Sequence, residues 1–73
     1  MATPPEPGAV PATVVEALPY ARWSLHTDQG VLLAASLDPH RADLGMDIAP
    51  GMRVWVRPSP HDPTRGTVLS RAP

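Results

Sequence analysis

The chain has 73 residues, with no cysteine, no lysine, six arginines and seven acidic residues, and a net charge of −1. That length holds one small domain, and the lack of cysteine excludes disulfide staples and thiolate zinc sites and suits a reducing compartment. The charge balance excludes a global basic field, and with no long apolar run and no basic-then-apolar N-terminus the expectation is a cytoplasmic monomer without a membrane partner.

Residues 1–11, MATPPEPGAVP, carry four prolines and a glycine. So little apolar surface does not offset the entropy of ordering, so the segment reads as a disordered or extended leader to a domain over 12–73. A proline-rich partner ligand is the alternative, although no P-x-x-P beside a basic residue stands out. Residues 12–18 are predicted as a first strand, β-branched at Thr13, Val14 and Val15 and ended by Pro19-Tyr20. Residues 22–27 make a second, with Trp23, Leu25 and Thr27 on one face and Arg22, Ser24 and His26 on the other. Asp28-Gln29-Gly30 is a turn whose glycine takes positive φ. Residues 31–36 are apolar almost throughout and form a third, well-covered strand. Strands joined this tightly make an antiparallel meander.

The pattern then changes. Asp38 suits a helix N-cap and Pro39 the first helical position, giving a short helix over 39–44 that Gly45 ends. In residues 52–57, Met52, Val54 and Val56 alternate with Arg53, Trp55 and Arg57, the period of a strand with one buried face. The following PSPHDP has three prolines in six residues and carries neither ladder nor helix. A last strand is expected over 66–71, with Gly66 giving the freedom for a bulge or tight bend. Three strands, a short helix and two strands is the order of an all-β, five-stranded OB-fold barrel. The expected core is Val14, Leu18, Trp23, Leu25, Leu32, Ala34, Val54, Val56 and Val68.

Little points to catalysis. Ser36, Asp38 and His40 are near in sequence, but nothing sets a nucleophile beside an oriented base. His26, His40 and His61 with Asp62 lack metal-ligand spacing, and there is no glycine-rich phosphate loop. The expectation is a non-enzyme with no cofactor and no metal. Binding chemistry is better represented. Four of the six arginines, Arg53, Arg57, Arg65 and Arg71, fall in the final 21 residues. They form either a local cationic patch or the solvated outer positions of half-buried strands. Trp55 lies between Arg53 and Arg57, opposite Val54 and Val56. It is either an exposed platform that stacks a base for ~1–3 kcal/mol, or a ring covered by the leader or the helix.

Two segments carry a resemblance. PGMRVWVRPSPHDPTRG is similar to the closing hairpin of bacterial translation initiation factor 1, where a pattern like PGDKVTVELSPYDLTRGRI is typical. TVVEALPYARWSL resembles the same family's TVVEALPNAMFRV, and together the likeness runs from Ala12 to Arg71. The resemblance implies an OB barrel that binds the decoding region of the small ribosomal subunit, with the subunit, its rRNA and other initiation factors as partners. Arg41 matches the arginine of the family's GKMR, Arg53 the lysine of PGDKV and Arg65 the first arginine of TRGR, so these three inherit phosphate contacts. Arg57 and Trp55 are additions where the family more often has Glu and Thr, which makes Arg41, Arg53, Trp55, Arg57 and Arg65 the candidate nucleic-acid-binding set. Other positions depart. Thr67 replaces the second arginine of TRGR, Asp47 the arginine of RILPG, Asp38-Pro39 a Gly-Lys pair and Ala42 the lysine of MRK. Ala35 replaces the histidine of LAHIS and His61 the tyrosine of SPYD. The scaffold is kept while part of the basic surface is lost. The alternatives are a generic single-strand RNA- or DNA-binding module, and a repurposed paralogue whose barrel binds a protein or small ligand.

Overall fold

Alternating apolar and β-branched residues fold here into five strands. The computed structural model describes residues 4–37 and 48–72. Its elements are β1 (Val10–Leu18), β2 (Arg22–Thr27), β3 (Leu32–Leu37), β4 (Arg53–Pro58) and β5 (Arg65–Arg71). They form one closed barrel in the order β1-β2-β3-β5-β4, with β4 pairing back onto β1. All neighbours are antiparallel except β3 and β5, which run parallel. Closure gives each of the five strands a hydrogen-bonded neighbour on both sides. The helix expected over 39–44 lies outside the described residues, and so does Arg41. Among the described residues no helix is long and apolar enough to cross a membrane.

The strand β2 has the expected bounds and the expected faces: Trp23, Leu25 and Thr27 are all buried. Thr27 is polar, but its Oγ1 accepts the Val31 N–H at 3.0 Å, so its burial leaves no orphan group. Gly30, at φ 89°, supplies the left-handed residue the turn after β2 needs. The strand β1 starts two residues earlier than expected. It takes Val10 and Pro11 from the leader and pairs them with Val56 and Trp55 of β4.

Two inward faces differ from expectation. In β1 the register with β2 shifts between Val14 and Glu16, so Val15 is an extra residue and the alternation reverses past it. Val14 faces the core opposite Leu25, but Leu18 pairs with the outward Arg22 and is only half-buried. The strand β1 pairs with β2 from Ala12 to Leu18 and, on its other edge, with β4 from Val10 to Thr13. In β3, Leu32 is 60% exposed and Ala34 half-buried, whereas Leu33 and Ala35 are buried. A one-residue slip exchanges the two faces of a strand. Leu33 stands opposite Leu25, and Ala35 opposite Trp23, so the well-patterned β2 sets the face of its unpatterned neighbour.

The core is Ala12, Val14, Trp23, Leu25, Leu33, Ala35, Val54, Val56 and Val68, with Val10, Leu37, Ile48 and Met52 packed at its margins. Trp55 and Leu69 are buried too, but outside this inner cluster. The β4–β5 register shifts so that Trp55 faces Ser70 while Val56 faces Val68, which makes Leu69 the extra residue of a bulge. Gly66 is not at that bulge and has no left-handed φ. It is needed for close approach: a Cβ there would sit 2.9 Å from the Arg57 carbonyl oxygen and 3.1 Å from Val56 Cγ2.

Candidate nucleic-acid interface

Strand register decides what each arginine meets. Thr13 of β1 pairs with Arg53 of β4, and Ala12 with Thr27 at the end of β2, so the turn after β2 comes beside Arg53. The Arg53 guanidinium forks onto Asp28: Nη1 donates to Oδ1, and Nη2 to Oδ2 at 2.8 Å. Nη1 also donates to Thr13 Oγ1 at 3.2 Å. The hydrogen bond from Arg53 holds the Asp28 carboxyl below the usual carboxylate range, and the same bond raises Arg53 above the ordinary guanidinium value. Arg57 meets Glu6 of the leader, Nε to Oε2, at 3.2 Å. Two of the predicted phosphate contacts therefore hold carboxylates of this chain.

Arg65 is held more loosely. Its Nε lies 3.6 Å from Asp62 Oδ2, beyond hydrogen-bond distance, and the side chain is mostly exposed. Asp62 is occupied within the loop: its Oδ1 accepts from the Thr64 N–H at 2.9 Å and the Thr64 hydroxyl at 2.6 Å. Those two bonds hold its carboxyl below the ordinary range, with the charge of Arg65 adding the smaller part. Three further hydrogen bonds shape this loop: Ser59 N–H to the Arg65 carbonyl at 2.8 Å, Arg65 N–H to the Asp62 carbonyl at 3.0 Å, and His61 N–H to Ser59 Oγ at 3.3 Å. Prolines that cannot donate are thus compensated by short side chains that can bond locally.

Trp55 is not an exposed platform. It is 9% exposed, flanked in register by Pro11 and Ser70. The Glu6–Arg57 ion pair brings the leader onto the face of β4 that carries Trp55, which agrees with the covered alternative rather than with base stacking. The exposed aromatic ring is Tyr20, at 93%. It sits in the turn between β1 and β2 with Ala21, both in left-handed backbone, at φ 66° and 56°. Such a conformation costs about 1–2 kcal/mol per non-glycine residue. The sequence signal for Tyr20 was available: an aromatic residue at the position where the likened pattern has the asparagine of LPNAM, a residue that tolerates left-handed backbone.

Sequence reasoning also passed over Arg22. A cleft of about 330 Å³ opens on the outside of β2, β3 and β5, lined by Arg22, Ser36, Ser59, Arg65 and Thr67 with the backbone of Gly66. Arg22 pairs with Ser36, and Ser36 with Thr67, so the three form one row across three strands. Its signal was strand alternation alone: Arg22 and Ser36 occupy outward positions that only the pairing of β2 with β3 brings together. Of the predicted set, Arg65 joins this cleft, while Arg53 and Arg57 do not line it. Among the described residues no group of three or more histidine and acidic side chains is placed to hold a metal ion. Asp38 and His40 lie outside the described residues. With the geometry in place, no family model matches the chain.

Proposed function

We propose that this chain is an OB-fold relative of bacterial translation initiation factor 1, with a short helix between β3 and β4, and that it binds the small ribosomal subunit through 16S rRNA. One observation carries the reading. The two likened segments fall on the β1–β2 hairpin and on the β4–β5 hairpin, and β1 and β4 are hydrogen-bonded neighbours in a five-stranded closed barrel. Sequence likeness at separated places thus converges on one structural unit. In this reading Arg65 and Arg41 provide phosphate contacts, Tyr20 takes the stacking role first given to Trp55, and Arg53 contributes only if RNA displaces Asp28. The protein is a non-enzymatic cytoplasmic factor that acts as a monomer.

Co-sedimentation with purified small subunits tests this directly. Binding is expected at low salt, with a logarithmic salt slope of about −0.7 for each single-strand phosphate contact. Arg65→Ala flattens that slope by about one contact, and Asp47→Arg, which restores the likened charge, strengthens binding. No co-migration at low salt rejects the proposal. A second reading is favoured by the carboxylates on Arg53 and Arg57, which reduce the cationic surface: a repurposed barrel that binds a protein or small ligand. A pull-down that recovers a stoichiometric partner and no RNA replaces the first reading with this one.

A further inference from the structure

We propose that the cleft on β2, β3 and β5 seats one phosphate group, with Arg22 and Arg65 as its cationic walls. Among the described residues the lining joins two guanidiniums with the hydroxyls of Ser36, Ser59 and Thr67 and includes no carboxylate. A chain of net charge −1 has therefore gathered two positive charges around one concavity. Among the described residues the Arg22 guanidinium has no ion-pair or hydrogen-bond partner, in contrast to that of Arg53 with its forked carboxylate. Arg65 reaches Asp62 only at 3.6 Å, and Oδ1 of that carboxylate is already engaged by Thr64. Both guanidiniums thus retain donors for a ligand.

The donor set selects the ligand. A carboxylate is satisfied by a single arginine fork, whereas a tetrahedral phosphate presents acceptors in several directions and matches two forks with hydroxyls between them. The row Arg22–Ser36–Thr67 spans three hydrogen-bonded strands, so its spacing is set by the sheet and not by a loop. Arg22 stands where the likened initiation-factor pattern has methionine, so the seat belongs to this chain's own residues. The phosphate comes either from the backbone of a single RNA strand or from a free mononucleotide.

Titration of the labelled full chain, followed by amide and arginine Nε–H resonances, tests the seat. Inorganic phosphate at constant ionic strength is expected to give saturable shifts at Ser36, Ser59, Gly66 and Thr67 and at the side chains of Arg22 and Arg65, while chloride gives none. Arg22→Ala and Arg65→Ala each weaken that binding on the order of tenfold, as loss of a charge-assisted hydrogen bond requires. Arg22→Lys, which keeps charge but loses the fork, recovers only part. Tighter binding of a short oligouridylate than of adenosine 5′-monophosphate assigns the seat to an RNA strand, and the reverse order to a free nucleotide. Shifts that spread without saturating, or alanine variants that bind like the parent, overturn the proposal. The seat stands on its own chemistry: saturable phosphate shifts without subunit co-sedimentation remove the ribosomal reading alone. Subunit binding without such shifts removes the seat alone.

Discussion

The face of β3 gives the sharpest test of the packing. Leu33 is 3% exposed and stands opposite Leu25 in the core, while its neighbour Leu32 is 60% exposed. The two leucines are identical in chemistry and adjacent in sequence, so any difference between their alanine variants reports burial. Leu33→Ala removes a fully packed side chain and leaves a cavity, a loss of about 2–5 kcal/mol. Leu32→Ala removes a side chain already largely in water and changes stability within about 0.5 kcal/mol. A domain of this size has a total stability on the order of 4–11 kcal/mol, so the first variant loses a large share of it. At about 4–8 °C per kcal/mol, Leu33→Ala lowers the melting temperature by roughly 10 °C or more. Thermal unfolding followed by circular dichroism measures both. If Leu32→Ala is the more destabilised of the pair, β3 is out of register by one residue and the cleft assignment fails with it, because Ser36 then points inward.

Three other outcomes follow from the same geometry. Trp55→Ala lowers stability by about 3–5 kcal/mol, as for other buried aromatics, and a variant that melts with the parent restores the exposed-platform view. Gly66→Ala forces β5 away from the Arg57 carbonyl and Val56, a loss of about 1–3 kcal/mol; an unchanged melting temperature contradicts that close approach. The Asp28 carboxyl titrates lower in the folded chain than in the unfolded one, so its ion pair stabilises the fold above the unfolded value of about 3.9 and is lost as pH falls through the folded value. Asp28→Asn is therefore less stable than the parent at neutral pH and equal to it in strong acid, and a difference that persists in acid assigns its effect to something other than charge.

Legibility from sequence followed the strength of local pattern. In β2 the large side chains Trp23 and Leu25 alternate with Ser24 and His26, and both bounds and faces were readable. In β4 the inward Val54 and Val56 were equally plain. By contrast Leu32, Leu33, Ala34 and Ala35 are all apolar, so period two carries no information there, and only pairing with Leu25 and Trp23 selects a face. The bulge at Val15 has a similar origin: three β-branched residues in a row favour strand without saying where one of them leaves the ladder, and Leu18 changes face as a result. The surface was harder still. Nothing near Arg53 in sequence announces Asp28, 25 positions away, and Glu6 lies in a leader whose composition argues against order. These contacts exist because β1 lies between β2 and β4 and so carries both the turn after β2 and the leader to the arginines of β4. The same closure that neutralises Arg53 and Arg57 brings Arg22 across β3 to Arg65. Counting the arginines of the last strands therefore reached Arg65, which lines this cleft, but not Arg22, which only strand pairing brings beside it.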